Sequence, residues 1–184
     1  MIFHPLSHWG QRVFSFLGVI KMEIYLKKAQ FHDCSEIHAL QVECFLPLLK
    51  KYQDFATNPA AEGIERIVER FCQRETTYWF IVLQGKHIGG LRVCDFGEVC
   101  RISPIFILQE YQGRGYGQYV LKAAENLYPN AIRWELDTIA QEEKLCHLYE
   151  KVGYRPTGKR KNIKENMDLV FYEKYTNLQQ EESK

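Results

Sequence analysis

Ile105-Phe106-Ile107-Leu108-Gln109-Glu110-Tyr111-Gln112-Gly113-Arg114-Gly115-Tyr116-Gly117 is the stretch on which the reading of this chain turns. An apolar run gives way to a polar turn and three glycines at alternate positions. Beyond them Gly117, Val120, Leu121, Ala124, Leu127 and Tyr128 share one helical face. The pattern predicts a strand, a tight loop and a helix. Glycines let the backbone turn sharply and let a ligand come close to it. The first N–H groups of a helix lack internal partners and sit at the positive end of its dipole, so such a loop suits phosphate oxygens. Arg114 adds a cation at the rim. The same glycines also suit a sharp strand-to-helix turn that binds nothing.

Other phosphate motifs fit this loop less well. A P-loop needs Gly-Lys-Ser/Thr, which is absent. A dinucleotide fingerprint could use Gly113 and Gly115, with Asp137 as the ribose-binding acid, but it meets Gln118 where its third glycine belongs. It also normally opens a doubly wound sheet, and too little chain follows Gly117 to build one.

Around the loop, Ile24 and Leu26 alternate with polar neighbours as in a first strand. Asp33 and Glu36 have the spacing of a capping box, ahead of Ile37, Leu40, Cys44 and Leu48 at helical intervals. Residues 47–60, with two prolines, predict a loop before a second helix carrying Ile64, Ile67, Val68 and Phe71. Strands are expected at 76–83, 87–94, 98–108 and 132–139, a helix over about 142–152, and a closing hairpin of 154–161 and 167–173. The order β α α β β β α β α β β describes one α/β (α+β) domain.

The 184 residues suffice for one core, and 46% of them are apolar. With 24 cations against 23 acids, the basic excess of a nucleic-acid binder is missing. Five cations between Arg155 and Lys164 read as a solvated hairpin arm. No apolar run reaches the length of a membrane span. The six cysteines are never closer than Cys94 and Cys100, which excludes CxxC spacing, and no HExxH occurs, so no metal is expected. Free cysteines in apolar stretches predict a cytoplasmic protein. Residues 1–21 read as an N-terminal appendage; Arg12 gives only a thin basic flank and no A-x-A site follows, against a signal peptide. The domain is expected over 22–175, with a polar tail at 176–184.

The quoted stretch resembles the acyl-CoA signature of the GNAT superfamily of N-acyltransferases, Gln/Arg-x-x-Gly-x-Gly/Ala after a strand, through Gln112, Gly115 and Gly117. Leu148-Tyr149-Glu150-Lys151-Val152-Gly153-Tyr154 is similar to a second family motif, Leu-Tyr-Glu-Lys-x-Gly-Phe. The element order matches from Met22 to about Tyr175. The resemblance implies a mixed, mostly antiparallel sheet of six to seven strands with helices on both faces. Counted from Met22, its fourth and fifth strands (98–108 and 132–139) would splay apart. Acetyl-CoA would lie in that opening, its pantetheine arm along Phe106, Ile107 and Leu108. Its pyrophosphate would meet the loop of Gln112, Gly113, Arg114, Gly115, Tyr116, Gly117 and Gln118. Backbone N–H groups near Ile107 would polarise the thioester carbonyl. Pro104 then requires a bulge where the strands part.

The resemblance further implies an amine acceptor, a small molecule or protein, used by a monomer or homodimer with no metal. Tyr149 would protonate the departing thiolate, although its place on an apolar helix face equally describes a core residue. Many relatives carry a Glu base eleven residues before Gln112; here that position is Arg101, and Glu98 lies three residues earlier on the opposite strand face. Asp137, at the end of its strand near the expected splay, is the candidate base, and a helix-capping or solvated role fits it as well. Relatives often have Asn seven residues before the tyrosine; here it is Glu142. Tyr52, Asp54 and Phe55 are the candidate acceptor contacts, a mixture of aromatic and acidic groups suited to a cationic amine. A non-catalytic acetyl-CoA sensor and a dinucleotide-binding oxidoreductase are the alternatives.

Overall fold

Among the described residues, eight strands build one sheet in the order β1-β2-β3-β4-β5-β6-β8-β7. They are β1 (Arg12–Ser15), β2 (Met22–Lys28), β3 (Thr76–Leu83), β4 (Lys86–Asp95), β5 (Val99–Ile107), β6 (Arg133–Ile139), β7 (Arg155–Lys164) and β8 (Met167–Tyr175). The computed structural model describes residues 12–15 and 22–176. All seven strands expected from Met22 onward are present. Residues 12–15, within the stretch read as an appendage, add an eighth at the edge, antiparallel to β2. At the other end, Thr176 is tied back to the sheet by its N–H to the Ile132 carbonyl (3.0 Å) and its hydroxyl to the Ala131 carbonyl (2.6 Å).

Helices cover both faces because the strands alternate. On β3, Tyr78, Phe80 and Val82 pack with Ile37 of α1 (Cys34–Tyr52) and Ile67 of α2 (Ile64–Phe71). Ile81 and Leu83 point the other way, toward Val120, Leu121 and Ala124 of α3 (Tyr116–Leu127) and Tyr149 of α4 (Glu143–Lys151). One strand thus serves two cores.

Two local expectations are corrected. The segment 47–60 is not all loop, since α1 runs through Pro47 and ends at Tyr52, capped by left-handed Gln53 (φ 52°). Pro47 lies on the exposed side, where water can satisfy the carbonyl it frees, and continuing the helix buries Leu49 and Tyr52. Asp33 and Glu36 do not form the capping box. Asp33 instead accepts from the Gln30 N–H (2.7 Å), one turn earlier, and Glu36 pairs with His87 (2.6 Å). The Asp33 carboxylate can serve only one turn well, and the short 3-10 turn Phe31–Asp33 has it.

Candidate active site

Every neighbouring strand pair is antiparallel except β5 and β6. Their parallel ladder holds only Val99↔Arg133, Cys100↔Trp134 and Arg101↔Glu135. Beyond Arg101 the strands part, while β6 stays paired to β8 through Ile139 and β5 to β4 through Ile107. The expected opening therefore exists, between 98–108 and 132–139.

A bulge sits where β5 bends away. Leu91 faces Ile105 and Val93 faces Ile102, so Ser103 and Pro104 together oppose Arg92. The Ser103–Pro104 peptide is cis. The Arg92 Nε–H donates to the Ser103 carbonyl. Past the bulge, the Leu108 N–H donates to the Ile88 carbonyl (2.9 Å), so alternation turns the N–H groups of Ile105 and Ile107 toward the open edge. The Gln112 side-chain amide donates to the Ile107 carbonyl on that edge (2.7 Å), anchoring the loop to the strand. Phe106 faces the other way; its ring meets Phe45 of α1 at 6.1 Å.

The glycine loop lies at the wide end of the opening. Gly113 (φ 74°) and Gly115 (φ 81°) take left-handed conformations, and Gly115 is the N-cap of α3. A Cβ on either would meet nothing within 4 Å, so the space above the loop is clear. Among the described residues, the N–H groups of Gly113, Arg114, Gly115 and Gly117 find no acceptor, whereas that of Gln118 closes onto the Gly115 carbonyl (3.1 Å). The Arg114 guanidinium stands over the Tyr111 ring (5.9 Å), and Tyr116 is buried in the core. Gly117 has a packing reason of its own, since a Cβ there would lie 3.0 Å from Leu148 of α4.

Tyr149 is 5% exposed, with Tyr154 and Tyr172 rings at 6.3 and 6.0 Å. Its hydroxyl has no hydrogen-bond partner among the described residues, although other buried phenols border it. Burial, then the nearby charges of Asp137 and Cys146, push its pKa well up, so the group stays a neutral phenol. Asp137 itself ion-pairs with Arg101 across the point where β5 and β6 separate. Burial raises its carboxyl above the usual aspartate range, and Arg101 and Lys161 oppose that without outweighing it. Asp137 thus pairs with Arg101 and lies near enough to Tyr149 for its charge to raise the phenol's pKa.

The candidate acceptor residues are not gathered in the same way. The Tyr52 hydroxyl donates to Glu142 (2.7 Å), which also accepts from Lys51 (2.6 Å), and the Tyr52 ring packs with Ile139 and Met167. Asp54, 4% exposed, turns into its own loop and accepts from the N–H groups of Ala56 and Thr57 (3.1 Å each) and from the Thr57 hydroxyl. Phe55 is 68% exposed. The Tyr52–Glu142 bond spans 90 residues and left no local trace in the sequence. Arg92 likewise reads as an ordinary solvent-facing strand cation.

Among the described residues no group of three His, Cys, Asp or Glu is placed to hold a metal, and no helix is long and apolar enough to cross a membrane. The model of the acetyltransferase (GNAT) family matches residues 27–154. An acetyltransferase of GNAT family from Streptococcus pneumoniae superposes with a TM-score of 0.64 at 19% identity, covering 83% of this chain and 99% of its own. The GNAT domain of S. lividans PAT gives 0.69 at 13% identity, covering 94% and 100%. A ribosomal L7/L12 alpha-N-protein acetyltransferase in complex with coenzyme A gives 0.66 at 14% identity, covering 83% and 93%. At such identities the likeness to these structures is one of fold. No curated protein sequence matches the chain.

Proposed function

This chain belongs to the acetyltransferase (GNAT) family, and we propose that it transfers an acetyl group from acetyl-CoA to a primary amine, with Tyr149 as the general acid and Asp137 as the base. The observation that carries the reading is the opening between β5 and β6 with an unobstructed N–H cradle at its wide end. The residues fit the cosubstrate. Four loop N–H groups without acceptors suit pyrophosphate oxygens. The free edge of Ile105–Ile107 suits the amide groups of a pantetheine arm, as an added strand would.

In this reading the outward N–H groups of Ile105 and Ile107 stabilise the oxyanion that forms when the amine attacks the thioester carbonyl. Asp137, raised by burial, takes the proton released by the attacking amine. The carbon–sulfur bond then breaks, and Tyr149 gives its proton to the leaving thiolate; its elevated pKa keeps that proton in place until sulfur demands it. Arg101, where many relatives carry glutamate, favours one rival, a module that binds acetyl-CoA without turnover.

Calorimetric titration with acetyl-CoA, followed by thiol-release assays, tests both readings. Gly115→Glu forces a side chain onto a left-handed residue and aims a negative charge into the cradle, so acetyl-CoA binding should be lost. Undiminished affinity would reduce the loop to a turn. Binding without thiol release on any amine would favour the sensor.

A further inference from the structure

Charges around the fork differ in one respect. Glu62 is held by Arg70 through two bonds (2.6 and 2.7 Å), Glu142 by Lys51, and Asp137 by Arg101, while Asp54 serves its own loop. These four acidic groups are thus engaged within the protein. Arg92 is the opposite case. It is half-buried on the α1 and α2 face of β4, opposite Tyr78. It meets no carboxylate among the described residues. Among the described residues only its Nε is bonded, to Ser103, and its two terminal nitrogens are neither paired nor sealed from solvent. Burial lowers its pKa, the mark of a cation short of compensating charge.

Its position matters as much as its charge. Ser103 is two residues beyond Arg101, the last ladder residue before the gap, and two before Ile105, whose N–H faces the gap. The bond from Nε to Ser103 sets the guanidinium beside the bulge that leads into the acyl position, where it can meet a second functional group of a small acceptor. Resting on the transferase reading above, we propose that the acceptor is a small primary amine that also carries a carboxylate, of the α-amino acid class, and that Arg92 selects it by pairing with that carboxylate. Arginine's planar fork suits the role.

The test compares L-amino acids with their own carboxamides in a thiol-release assay with acetyl-CoA, alongside linear polyamines. The carboxylates should be preferred in kcat/KM by about 10–100-fold, the scale of one charge-assisted contact. Arg92→Gln should collapse that preference, mainly through KM, and leave acetyl-CoA affinity as in the wild type. Arg92→Lys, which keeps the charge without the fork, should retain part of it. The Lys variant's melting temperature and acetyl-CoA titration serve as the folding control should the Gln variant misfold. Equal use of acids and carboxamides, preference for polyamines, or turnover of neither class overturns the assignment of Arg92. Failure of acetyl-CoA to bind the wild type would instead overturn the transferase reading beneath it.

Discussion

Replacing Tyr149 with phenylalanine separates a catalytic phenol from a packing one. The hydroxyl makes no hydrogen bond within the described chain, so its removal leaves no partner stranded. The ring keeps its contacts with Tyr154 and Tyr172 at 6.3 and 6.0 Å. Folding stability should therefore change by no more than about 0.5 kcal/mol, or about 1–2 °C in melting temperature for a chain of this size. Acetyl-CoA affinity should hold as well. Turnover should fall by about 10²–10⁴-fold, equivalent to about 3–5 kcal/mol of barrier, because the proton it supplies is needed only as charge develops on sulfur. The loss belongs in kcat rather than KM. The raised pKa of the phenol places its own ionisation above neutral pH, so the wild-type rate should show no decline near neutrality from this group. Steady-state thiol release, with a thermal melt on the same preparations, reads both quantities. A phenylalanine variant with near wild-type kcat would remove Tyr149 from the mechanism and leave water to protonate the thiolate.

Gly89→Ala should destabilise the fold by about 2–3 kcal/mol, because its Cβ would fall 2.2 Å from the Phe106 carbonyl oxygen and 2.9 Å from the Ile107 Cα, both backbone atoms that cannot swing aside; an unchanged melting temperature would contradict the close approach of β4 and β5. Glu142→Gln should weaken the wild-type fold at neutral pH but not in acid. Burial alone would raise the Glu142 carboxyl, yet bonds from Lys51 and Tyr52 prevail and hold it below its ordinary 4.5. Its stabilising contribution is then complete above that value and disappears as the pH falls through the lower folded one. Chemical denaturation across pH should show the gap between the two proteins closing in acid, and a constant gap would refute the linkage.

The glycine loop was legible because its physics is local: a strand, residues free to take positive φ and a helix start lie within thirteen consecutive positions. The element order was legible in the apolar periodicities, and the expected fork followed from the family resemblance that the two motifs carry. Pro47 misled because a proline reads as a stop unless the burial of Leu49 and Tyr52 beyond it is known. Asp54 looked available because a sequence does not show which way a loop carboxylate turns, and here it satisfies the N–H groups of its own turn. The clasp of Tyr52 and Lys51 on Glu142, and the bareness of Arg92, depend on neighbours far along the chain. No window of sequence contains them.

The three-residue ladder joining β5 to β6 makes the sheet mechanically two plates, β1–β5 and β6–β8, hinged along a short seam. Along that seam the Arg101–Asp137 pair acts as a rivet. Amide groups flanking the gap exchange hydrogen with solvent from whichever plate moves, so the free protein should be softest at the inner edges of β5 and β6 and stiffest at the centre of each plate. An extended molecule that paired with both inner edges would tie the two plates into one continuous girder, and the stiffening should then reach β8, which no ligand atom need touch.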